Sequence, residues 1–63
     1  MDIAKRIKQH LYDSGRTQAY LCRKLHLSST AICQILSGKR RLKLDEYLDI
    51  CRAFSVAPNF FLD

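Results

Sequence analysis

The stretch Thr17–Gly38, TQAYLCRKLHLSSTAICQILSG, constrains this chain more than any other part of it. Leu21, Cys22 and Leu25 recur at i, i+1 and i+4, and Ile32, Ile35 and Leu36 at i, i+3 and i+4. Each set marks one apolar side of a short helix. Thr17 and Ser28 precede the two sets, where a hydroxyl can accept a bond from a first-turn amide. His26 and Leu27 form the turn between them, and Gly38 ends the second helix in the left-handed conformation common at helix C-termini. The flanking segments are expected to serve mainly to hold this pair at a fixed angle.

Those flanks read as helices too. Ile3, Ile7 and Leu11 line one side of a helix from about Asp2 to Ser14, capped by Asp2 and stopped by Gly15, with Lys5, Arg6 and Lys8 on its other faces and largely solvated. After Gly38 a helix is expected over Leu44–Phe54, with Tyr47, Ile50, Cys51 and Phe54 inward. Asp45 and Glu46 fall in its first turn, where the helix dipole favours acids, so their role is structural. Ala57 and Pro58 restart the chain, and Asn59 to Leu62 form a short closing turn. Of the adjacent Phe60 and Phe61, only one can point straight inward, leaving the other exposed. The expectation is one all-α domain over residues 1–63, since a chain this short covers only about 60% of the surface it would expose unfolded.

Several function classes fit poorly. Cys22, Cys33 and Cys51 are odd in number and share no C-x-x-C spacing, so each is best taken as a small apolar packing residue, with no metal site. No apolar run approaches the length of about 20 residues needed to cross a bilayer, and no signal-peptide pattern opens the chain, so a cytoplasmic protein is expected. No acids pair across a cleft, and a chain this short has little room for a pocket, which argues against an enzyme. Neither a cofactor nor a small-molecule ligand is expected.

Charge points elsewhere. Residues 1–15 sum to +1 and residues 44–63 to −3, whereas residues 16–43 carry seven cations and no acid. An acid-free block of this kind suits a polyanion. Within it, Ser29, Thr30, Cys33 and Gln34 face outward near the start of the second helix of the pair. Ser29, Thr30 and Gln34 offer donors and acceptors to base edges, and Gln34 has the geometry for two bonds to adenine. Gln18, at the first position of the preceding helix, stands at an anion-ready terminus where its amide can donate to a phosphate. Lys39, Arg40, Arg41 and Lys43 follow directly, four cations in five residues that would neutralise phosphates.

Taken together, Thr17-Gln18 with Leu21-Cys22, Leu27-Ser28, Ile32, Ile35, Gly38-Lys39, Ile50-Cys51, Phe54, Val56 and Phe61-Leu62 resemble the Cro/C1-type helix-turn-helix family, the XRE family of lambdoid phage repressors and Cro proteins. The resemblance runs over residues 3–62. It implies a five-helix, lambda-repressor-like DNA-binding domain whose third helix enters the major groove of double-stranded DNA, often as a homodimer on a palindromic site. By position it gives base reading to Ser29, Thr30 and Gln34, phosphate contacts to Gln18 and Ser28, and a backbone-following loop to Lys39 and the cations after it.

Four residues depart from the family pattern. His26 stands at a turn position usually held by glycine, Cys22 replaces an alanine where the two helices approach, Lys43 replaces a Ser or Thr cap, and Leu11 replaces a common arginine. The implied function is a sequence-specific transcriptional regulator of phage or prophage type. The alternative is a protein-interaction module on the same fold, such as an antirepressor or antitoxin-like partner, working through Asp45, Glu46, Asp49 and the Phe60-Phe61 pair. RNA fits less well, because the A-form major groove is too narrow for a helix.

Overall fold

A computed structural model describes residues 2–62. Over these the chain forms four α-helices and no strand: α1 (Ile3–Asp13), α2 (Gln18–Leu25), α3 (Ser29–Leu36) and α4 (Leu44–Phe54). The closing segment is a correction to the expected five helices. Only two separate i to i+3 turns form there, with the Phe60 amide donating to Ala57 O at 2.9 Å and the Leu62 amide to Asn59 O at 3.1 Å. Bonds at every second residue do not build the continuous ladder that a helix requires.

The periodic apolar residues do what their spacing predicts. Ile7, Leu11, Leu21, Ile32, Leu36, Tyr47, Ile50, Cys51, Phe54 and Phe61 form one buried cluster, so every helix and the closing segment contribute to it. Leu21 is fully buried, while its stripe partners Cys22 and Leu25 are half-buried at the edge of that cluster. α2 packs on both α3 and α4, and α1 packs on α3. α3 is therefore held on two sides. The Cα radius of gyration is 10.4 Å, against about 10.6 Å for a compact chain of this length. No helix among the described residues is long and apolar enough to cross a membrane.

Helix termination is uniform. Gly15 (φ 74°), His26 (φ 56°), Gly38 (φ 80°) and Ser55 (φ 57°) each take the left-handed conformation just past a helix. In each case the next amide reaches back five residues, as in Arg16 to Leu11 O (3.1 Å), Leu27 to Cys22 O (3.2 Å), Lys39 to Gln34 O (3.0 Å) and Val56 to Cys51 O (3.0 Å). This is the Schellman arrangement, which satisfies carbonyls that the helix itself leaves unpaired. At both glycines an added Cβ would meet no atom within 4 Å, so backbone conformation alone calls for glycine there.

Helix starts are less uniform. Asp2 caps α1 by accepting from the Lys5 amide at 3.1 Å, and Ser28 caps α3 by accepting from the Ala31 amide at 3.2 Å. The Thr17 hydroxyl makes no such bond, contrary to expectation. Its carbonyl accepts the Tyr20 amide at 3.0 Å instead, so the first amides of α2 keep no side-chain acceptor.

Side chains tie the closing segment to the helices. Arg6, expected to be solvated, donates to Phe61 O at 3.2 Å. The Tyr47 hydroxyl donates to Pro58 O. Burial pushes the Tyr47 phenol above its ordinary pKa, helped by a hydrogen bond with Cys51. Phe61 is buried and Phe60 is 49% exposed, the division expected of the pair.

Candidate nucleic-acid interface

α3 has two faces made from eight residues. Ile32, Ile35 and Leu36 are buried, whereas Ser29, Thr30, Cys33 and Gln34 are exposed. An open depression of about 430 Å³ runs along the exposed face and brings together Gln18, Ser29, Thr30, Cys33, Gln34, Ser37 and Lys39. All three expected base-reading residues are thus neighbours, with two of the expected phosphate-contacting residues on the same rim. Gln18 arrives there because α2 packs on α3. Lys39 arrives because the left-handed Gly38 turns the chain back over the end of α3.

The turn between the helices fixes this arrangement. His26 ends α2 with φ 56° and ψ 41°, Leu27 follows, and Ser28 opens α3 in extended conformation. A non-glycine residue in the left-handed region costs energy, and histidine is among the types that tolerate it better. The Ser28 hydroxyl oxygen is occupied by the Ala31 amide, which leaves its own O–H to donate outward. Ser28 lies outside the depression, at the start of α3.

The cations divide into two groups. Arg16 sits over the rings of Tyr20 and Phe54, 5.0 and 5.6 Å from their centroids, and Lys24 lies 5.7 Å from the Tyr20 centroid. Arg40 donates to Glu46 Oε2 at 2.7 Å. Arg16 and Arg40, both half-buried, belong to the packing of the domain, whereas Lys24 is exposed. Arg23, Lys39, Arg41 and Lys43 are exposed, and among the described residues none has an acidic partner. The expected phosphate-contacting set of Lys39, Arg40, Arg41 and Lys43 therefore contains one residue already engaged within the domain.

Glu46 explains how α4 starts without a serine or threonine. Its Oε1 accepts from the Lys43 amide at 3.1 Å, while its Oε2 holds Arg40. An ammonium has no lone pair to offer, so Lys43 completes only the backbone half of a capping box. Its charged end is left free.

Two lining residues were not assigned by sequence reasoning. Ser37 follows Cys33 by one turn, so the same i, i+4 spacing that defines the face points to it. Cys33 itself is exposed, unlike buried Cys51 and half-buried Cys22, and so is no packing residue.

A second depression shares no lining residue with the first. A largely apolar groove is lined by Ile3, Leu42, Lys43, Leu44, Tyr47 and Leu62, with Leu44 74% and Leu62 47% exposed. The surface expected for a protein partner is partly dismantled, since Phe61 is in the core and Glu46 is engaged by Arg40. Comparison of the chain with protein-family models, with curated proteins and with solved structures finds no match.

Proposed function

We propose that this protein is a sequence-specific, double-stranded-DNA-binding transcriptional regulator of the Cro/C1 helix-turn-helix type, in the manner of a phage repressor. In this reading α2, the turn at His26 and α3 are the helix-turn-helix. The observation that carries it is the depression on α3, where Ser29, Thr30 and Gln34 share a rim with Gln18 and Lys39. Polar groups free to meet base edges are thereby flanked by groups suited to phosphates, the division of labour that DNA readers need. α3 enters the major groove, Gln18 and the Ser28 hydroxyl donate to phosphates, and Lys39, Arg41 and Lys43 follow the backbone. Repression would come from occupancy of the site. Two copies on a palindromic site would each occupy one half-site.

Selection of sites from a random duplex pool tests this directly. The expected result is an enriched motif, with half-sites about 10 bp apart if two copies bind. Neutralising three phosphates should give a plot of log K against log salt with a slope of about −3. No motif together with a flat salt dependence would refute the proposal. Gln34→Ala should relax preference at one base position at a cost of about 1–3 kcal/mol. Lys39→Ala should weaken all sequences alike and reduce the slope by about 1.

A further inference from the structure

We infer that the α3 depression takes A·T base pairs, with Gln34 on an adenine and the Cys33 thiol and Thr30 methyl against the 5-methyl groups of thymines. This rests on the DNA reading above and adds the identity of the bases. Each base asks something different of a side chain in the major groove. Guanine presents two acceptors suited to an arginine or lysine, and cytosine presents a donor suited to a carboxylate. Adenine pairs a donor with an acceptor, which an amide matches, and thymine presents one acceptor and a methyl group.

The depression holds no arginine and no acid. Its sole charge, Lys39, lies beyond Gly38 where the chain has already left the helix. The central polar group is the Gln34 amide. No hydrogen bond to it occurs among the described residues, so both its donors and its acceptor are available. Beside it, Cys33 is exposed one turn from both Ser29 and Ser37 and three residues from Thr30. A thiol is a weak hydrogen-bonding group and presents mainly polarisable apolar surface. Thr30, three residues back in the same lining, carries a methyl group, and the two together would supply apolar surface to match the one apolar feature a base edge offers. Small side chains on either side let the helix approach closely enough to use it.

The test starts from the sites selected above and replaces each thymidine in turn by deoxyuridine, which removes only the methyl group. The expected motif is dominated by A·T pairs, and deoxyuridine at two positions should lower affinity about fourfold each, the worth of one buried methyl group. In Cys33→Ser the loss should vanish at one of these positions, and in Thr30→Ser at another. Both residues are exposed, and unchanged thermal unfolding of the variants will show that the fold is intact. A motif carried by G·C pairs, or deoxyuridine substitution without effect at every position, overturns the inference and leaves DNA binding standing. The absence of any motif overturns the DNA reading itself, and this inference with it.

Discussion

At the scale of single residues, four left-handed positions control where the chain turns, and they are not equivalent. Gly15 and Gly38 hold φ of 74° and 80° without strain, while His26 and Ser55 hold 56° and 57° at a cost. Gly38→Ala should lose about 1–2 kcal/mol by forcing a Cβ into that region. His26→Gly should relieve a similar strain but add about 0.5–1 kcal/mol of unfolded-chain entropy, for a net gain of about 0.5 kcal/mol. Urea unfolding of the two variants checks both signs. Position 38 was legible as a helix stop because glycine announces itself. Ser55 was not, since a serine carries no such mark.

Among the elements, α4 depends on one acid for its start. Glu46 accepts from the Lys43 amide and from Arg40, with side-chain exposures of 12% for Glu46 and 30% for Arg40. Glu46→Ala should cost about 1–2 kcal/mol, because it removes a cap as well as a partly buried ion pair. Arg40→Ala should then leave the salt dependence of DNA binding nearly unchanged, in contrast to Lys39→Ala. Titration at two ionic strengths separates them. The helices themselves could be read from the sequence, since Ile7, Leu11, Ile32, Leu36, Ile50 and Phe54 recur at helical spacing and all are buried. The Arg40–Glu46 pair could not, because its partners are joined by a loop whose path has no period. The missing fifth helix has a similar origin: proline after a short break suits a helix start, but the residues that follow make only isolated turns.

For the whole molecule, the closing segment matters more than its length suggests. A domain of this size has a stability of about 3–9 kcal/mol. Phe61 is 2% exposed within the one core cluster, and Phe61→Ala should cost about 3–5 kcal/mol, a large share of that stability, read as a lowered thermal midpoint. Phe60→Ala, at a half-exposed ring, should cost under about 1 kcal/mol. The pair of adjacent phenylalanines was readable as one inward and one outward, but choosing between them required the positions of Arg6, His10 and Tyr47, which converge on the segment from two helices.

The two-faced construction of α3 has a consequence for how such a protein can change. Its inward residues belong to the fold, and its outward residues at positions 29, 30, 33 and 34 are exposed and form no part of the core cluster. Those four positions are therefore interchangeable without a stability penalty of the kind that core replacements bring. A library randomised there would inherit one scaffold with many surfaces, and descendants of this chain could acquire new targets by point substitution while the architecture stays fixed.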